Sequence, residues 1–142
     1  MSIHDSLYTK IAATTGITDV ISTRFYPMQA PTSARTAFPY ATYQRISEEH
    51  LHHTRAAAGL CNALIQIDIW DDDIVQCYTV ADAFRAALHG MTTATWGSLA
   101  IKRVLLQGVR DDFTPPEDGS ETGRFRISMD WDIWYAESIP SL

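Results

Sequence analysis

The chain is 142 residues long, with 46% hydrophobic and 20% charged side chains, which suits one domain with its own core and leaves little room for a second, such as a separate cofactor-binding domain. No apolar run approaches the roughly 20 residues of a membrane span, and the opening MSIHDSLYTK lacks the basic start and apolar stretch of a secretory signal, so a soluble, unexported protein is expected. The formal charge is −6, with five basic and six acidic side chains in residues 1–71 and six and eleven in residues 72–142; that balance repels phosphate backbones and disfavours a nucleic-acid reader.

Ser2–Thr14 predicts a first helix, with Ser2 or Asp5 as N-cap, Ile3, Leu7 and Ile11 on one side, and Gly16 as the stop. Ile17–Ile21 suits a short helical turn and Thr23–Tyr26 a brief strand that ends at Pro27. Residues 27–37, with two prolines and no periodicity, read as a surface loop. Phe38–Ser47 is aromatic and β-branched, which argues for a strand with Pro39 at its start. In Leu60–Trp70 the odd positions Cys61, Ala63, Ile65, Ile67 and Ile69 are apolar while the even ones include Asn62, Gln66 and Asp68, the alternation of a strand with one buried face. The connection EEHLHHTRAAAG is long for a hairpin loop, so either the strands run further or an arm projects; a projecting arm is favoured.

Asp71, Asp72 and Asp73 then supply an N-cap and a negative first turn to a helix that carries Ile74, Cys77, Tyr78, Ala81, Phe84 and Leu88 at spacings of three and four and ends at Gly90. Leu99–Val109 is a third strand, a turn-rich acidic stretch follows, and Arg124–Tyr135 alternates Phe125, Ile127, Met129, Trp131, Ile133 and Tyr135 with polar residues. The tail AESIPSL is expected to be loose. Together these predict a single α+β domain over 1–142, two-layer, with a mainly antiparallel four-stranded sheet and helices packed on one face. Loops are expected to project at about 47–59 and 109–123.

Catalytic signatures are sparse. G-x-S-x-G, G-x-x-x-x-G-K-[ST] and G-x-G-x-x-G do not occur, so neither a nucleophile elbow nor a phosphate cradle has support, and no cofactor or metal is assigned. Cys61 and Cys77 read as buried thiols. Glu49, His50, His52 and His53 cluster, and His50 with His52 would point the same way from an extended segment, which two ligands of one metal could use; a solvated tip or a pH-responsive contact explains them as well. Asp71–Asp73 could hold a hard cation, but capping explains three carboxylates at a helix start. More informative is the polar side of the strands, where Asp68 and Trp70 stand on one and Asp130, Asp132 and Trp134 on another. Large aromatics among charges suit a protein interface, or a face that another segment of the same chain covers.

The order and spacing of TRFYPMQAPTSARTAFPYATYQRIS, ALIQIDIWDDD, VADAFRAALHG, RVLLQGVRDDFTPPEDG and GRFRISMDWDIWY resemble the tail-completion, or tail-terminator, family of long-tailed bacteriophages and gene-transfer particles, from about residue 4 to residue 136. The Tyr26-Pro27, Phe38-Pro39-Tyr40, Gln66–Trp70, Ala81–Gly90 and Ile133-Trp134-Tyr135 stretches carry the resemblance. It implies a non-enzymatic virion protein that assembles in the host cytoplasm. Such a protein forms a ring, usually of six copies, on the head-proximal end of the tail tube, stops tube growth and meets the head connector or stopper. The partners implied are the chain itself, the tail tube protein and the connector, with no membrane and with DNA only passing through the channel. If the acidic stretch Arg110–Glu121 lined that channel, its carboxylates would repel the passing DNA. The interface candidates are Asp68, Trp70, Asp132 and Trp134 on the sheet, and His50, His52, Asp111, Asp112 and Phe113 at the loops. The His-rich stretch Glu48–Arg55 departs from the family pattern. The alternatives are a head-closure or stopper protein of the same junction and, from another class, a small α+β enzyme or ligand-binding protein, for which a deep apolar pocket is expected.

Overall fold

The computed structural model describes residues 2–31, 38–52, 57–114 and 124–136. The loop residues 32–37, His53, the stretch 115–121 and the tail from residue 137 lie outside the described residues, although each figured in the sequence reading. In chain order the elements are α1 (Ile3–Ala12), α2 (Thr15–Ile21), β1 (Phe25–Pro27), β2 (Tyr40–His52), β3 (Ala57–Asp71), α3 (Ile74–Leu88), β4 (Ala94–Trp96), β5 (Leu99–Thr114) and β6 (Arg124–Ala136). No helix is long and apolar enough to cross a membrane.

Local chemistry accounts for the helices. The Ser2 hydroxyl accepts from the Asp5 N–H and donates to the Asp5 carboxylate, closing the first turn of α1. Ile3, Leu7 and Ile11 then fall on one buried stripe. For α3 the cap is Asp73, whose carboxylate accepts from the Val75 N–H at 3.0 Å. Asp71 instead ends β3 as a buried side chain and accepts from the Asp73 N–H at 3.1 Å, so the three aspartates divide between strand end and cap. Gly90, at φ 82°, turns the chain out of α3 where a side chain would be strained.

The sheet corrects the four-stranded expectation. It is a curled, mixed sheet of six strands in the order β1-β2-β3-β6-β5-β4. β1 joins β2 in parallel at Phe25–Ala41 to Pro27–Tyr43, and β4 joins β5 antiparallel at Ala94–Ile101 to Trp96–Leu99. Each short strand has three residues, too few to show a period of two, and each is held by its long neighbour. Both long hairpins also extend through stretches read as loops. β2 runs on to His52 and β3 begins at Ala57, while β5 continues through Arg110–Thr114 and pairs as far as Thr114–Arg124.

One sheet face carries the core. Cys61, Ala63, Ile65, Ile67 and Ile69 of β3 and Ile127, Met129, Trp131 and Ile133 of β6 are buried together with Ile17 and Ile21 of α2 and Cys77, Val80, Phe84 and Leu88 of α3. Burying each large aliphatic side chain contributes about 1.5–3 kcal/mol, so these alternate positions fix the register. Among the described residues no helix covers the opposite face of the four long strands, which carries mainly polar and aromatic side chains beside Leu60 and Leu64.

Candidate functional site

Cross-strand pairing assembles this face, which is helix-free among the described residues, from four distant stretches of sequence. Tyr40 pairs with Trp70 and Trp70 with Arg126, which in turn pairs with Asp112; two rows further on come Thr42, Asp68, Ser128 and Arg110. Because side chains alternate between faces, every second row belongs to this surface and the rows between to the core.

Trp70 is its organising residue. Its ring stacks on Tyr40 with centroids 6.2 Å apart and planes 16° from parallel, and Phe38 continues the stack at 5.7 Å. The indole N–H donates to the Thr42 hydroxyl at 3.2 Å. The Arg126 guanidinium lies 5.4 Å from the Trp70 ring centre and donates to Asp112 at 2.8 Å, and the Arg124 guanidinium lies 5.7 Å from the Phe38 ring centre. Two arginines thus lie over aromatic rings, and one is also tied to a carboxylate, an arrangement that holds planar cations in fixed positions.

Beside this stack Asp68 is buried at 9% exposure, and its carboxylate accepts from the Gln66 amide at 2.9 and 3.1 Å. Met28, Gln29, Gln44, Asp68, Trp70 and Arg126 are among the residues around a trough of about 410 Å³ that opens broadly to solvent. Further along the face Arg110 grips Asp130 through both carboxylate oxygens, at 2.5 and 3.3 Å, which holds its guanidinium above its ordinary pKa. Asp132 accepts from the Asn62 amide, and Trp134 is half-buried in one row with Asn62 and Arg103.

The remaining candidates stand at the two ends of the sheet. Asp111 is exposed and accepts from the Tyr78 hydroxyl of α3 at 3.2 Å, which pushes that phenol's pKa up. Phe113 is 46% exposed and packs on Phe125 with centroids 4.7 Å apart. At the other end His50 lies on the core side of β2, where its Nδ1 meets the Cys61 thiol at 2.8 Å and its Nε2 stands 3.5 Å from Glu48. Glu48 also pairs with Arg45 at 3.1 Å and accepts from the Tyr135 hydroxyl. Burial, then the bond to Glu48, raise the Tyr135 pKa far above the usual phenol range. His50 therefore points into a bonded cluster. The backbone of His52 pairs with Ala57, its side chain is outside the described residues, and no group of three or more His, Cys, Asp or Glu among the described residues could hold a metal.

The structure joins Asp68 and Trp70 around the trough, sets Asp132 and Trp134 further along the same face, and separates His50 from Asp111, Asp112 and Phe113 by the length of the sheet. Sequence reasoning missed Tyr40 and Arg126 as partners of Trp70, and Arg124 as the partner of Phe38. The signal was there in part: Arg124 and Arg126 occupy the same alternate positions of their strand as Asp130 and Asp132. Fixed cations, stacked rings and paired carboxylates spread over an open face can do recognition chemistry.

Three comparisons with known proteins bear on this face. Residues 5–136 match the family described as tail completion protein gp17. Among solved structures the fold is similar to a chain of the virion of the native gene transfer agent (GTA) particle, with a TM-score of 0.68, 13% identity and 95% of each chain covered. No curated protein matches the sequence.

Proposed function

We propose that this chain, which belongs to the tail completion protein gp17 family, closes a ring of its own copies, usually six in such assemblies, on the head-proximal end of the tail tube and offers a surface there to the head connector. Its place in the virion tail and its structural, assembly role are properties of the family itself; the ring and the partners are our reading. The single observation that carries this reading beyond the family is the helix-free sheet face. A domain of this size that leaves one side of its sheet to stacked rings, clamped arginines and buried Asp68 presents material for recognition. Head-to-tail contacts between such faces and edges close into rings when the rotation allows.

On this reading Trp70, Asp68, Trp134 and Asp132 belong to the contact face, and His50, His52, Asp111, Asp112 and Phe113 to contacts at its ends, with the tail tube protein and the head connector or stopper as partners. No step of chemistry is required of any residue.

The experiment is to produce particles without this chain and to supply it afterwards. Heads and tubes should form but remain unjoined, with tubes of irregular length, and added protein should restore joined particles. Tubes of normal length beside unjoined heads would assign the chain to head closure instead. Joined particles that deliver DNA without it would overturn the proposal.

A further inference from the structure

The two margins of the sheet are stepped in opposite senses. On one side β1 covers β2 only opposite Ala41–Tyr43, and among the described residues no other backbone pairs with the outer edge of β2 from Arg45 to Glu49. On the other side β4 covers β5 only at Leu99–Ile101. The turn after α3 occupies the next stretch: the Gly90 N–H donates to the Val104 carbonyl, the Val104 N–H to that of Met91, and the Leu106 N–H to His89 Nδ1. Past Leu106, among the described residues, the outer edge of β5 is open except that the Phe113 N–H donates to Asp112. Val109 and Phe113 on this open stretch are exposed apolar residues, as Ile46 is on the open stretch of β2. Uncovered edges of this kind are templates for another strand.

The steps are complementary. Across the sheet Phe25 shares a row with Ala41, Ile69, Ile127 and Asp111, and Tyr26 shares one with Thr42, Asp68, Ser128 and Arg110. The strand that protrudes from one margin is therefore level with the stretch that is open at the other. At the opposite end Ala94 of β4 shares a row with Ile101, Tyr135, Cys61 and His50, the row next to Glu49, where the uncovered length of β2 ends. Copies set side by side in one orientation interlock. β1 of one meets β5 of the next antiparallel, and β4 meets β2 in parallel, as the strand directions require.

Charge agrees with this fit. The row of Tyr40, Trp70, Arg126 and Asp112 continues to Arg24, one residue before Phe25, so Arg24 of one copy would face Asp112 of the next. Arg24 donates through Nε to the Pro39 carbonyl at 2.7 Å and, among the described residues, makes no ion pair. Two rows on, Tyr26 would face Arg110.

We propose that the sheet continues from copy to copy: the outer edge of β1 in one copy adds to the open edge of β5 in the next, with Arg24 against Asp112. This seam rests on the ring reading above and names the surface that makes the ring. It ties the Trp70 stack to assembly, because that stack fixes the arginine that holds Asp112.

The test is cysteine cross-linking in assembled particles. Paired strands bring Cα atoms to about 4.5–5.5 Å, within disulfide reach, and native Cys61 and Cys77 are buried. Tyr26→Cys with Arg110→Cys, oxidised and run without reductant, should give a ladder of linked chains that ends at the closed ring. Tyr26→Cys with Thr95→Cys, which stand at different heights, should stay monomeric. Leu51→Cys with Thr95→Cys reads the second seam and decides the matter where the first pair does not enter particles. Rings visible by microscopy but unlinked with the matched pairs would overturn the seam and leave the ring reading standing. Particles whose wild-type chain forms no ring would overturn both.

Discussion

Replacing Trp70 by alanine separates assembly from folding. The substitution removes the stack on Tyr40, the ring under the Arg126 guanidinium and the bond to Thr42. An aromatic pair is worth about 0.5–1.5 kcal/mol, a cation over an exposed ring about 0.5–1, and a hydrogen bond about 1. The sum is about 2–3.5 kcal/mol for a half-buried side chain outside the core, below the roughly 5–15 kcal/mol by which a domain is stable. The variant should remain folded, with a single cooperative thermal transition lowered by roughly 10 °C. Its incorporation into particles should be lost, because Arg126 is no longer held over a ring and Asp112 loses its fixed partner. Trp70→Phe, which keeps the stack and loses the bond, should fall between. Circular dichroism against temperature and the amount of chain in purified particles are the two readings. Wild-type incorporation of Trp70→Ala would refute the contact role, and an unfolded variant would place Trp70 in the core.

Other consequences follow from buried groups. Burial, then a side-chain hydrogen bond with Asp72, push the Asp71 carboxyl up to about 6. Between about pH 4 and pH 6 the folded chain thus holds a proton that the unfolded chain has released, so this group's contribution to stability is greatest below pH 4 and falls by about 3 kcal/mol on the way to pH 7. Asp71→Asn should remove that slope and stabilise the chain at pH 7, read by urea unfolding at both pH values; an unchanged slope contradicts the assignment. Burial, then the charge of nearby Asp71, push the Cys77 thiol up to about 12, so alkylation at pH 8 should proceed only at the rate of unfolding, and rapid labelling in native buffer would contradict its burial. Ile65→Ala, at a fully buried site between β2 and β6, should cost about 2–5 kcal/mol by chemical denaturation, and a loss under 1 would mean that the core relaxes around it.

The long strands were legible because burial on one face imposes a period of two, as the isoleucines of β3 and the aromatic alternation of β6 display. Of the short edge strands, Phe25–Pro27 was legible from the β-branched and aromatic residues before Pro27, although its place beside Ala41–Tyr43 was not, and Ala94–Trp96 was missed, since three residues carry no period and it becomes a strand through Leu99–Ile101. The ends of β2 and β5 resemble loops in composition because Ser47–Leu51 and Arg110–Thr114 have little or no core to bury on either face, yet they are held by their hairpin partners. The same cause limits the site. Trp70 is conspicuous as an aromatic among polar positions, but Tyr40, Arg126 and Asp112 reach it through a register that spans residues 40 to 126, and that long-range pairing is set by the whole sheet.

The most direct measurement is electron microscopy of intact particles at a resolution that traces this chain. The account predicts its density as a closed ring coaxial with the tail tube, confined to the junction with the head, with neighbouring sheets meeting edge to edge. Density along the length of the tube, or at the distal tip, or a chain absent from particles that are joined and deliver DNA, would contradict it.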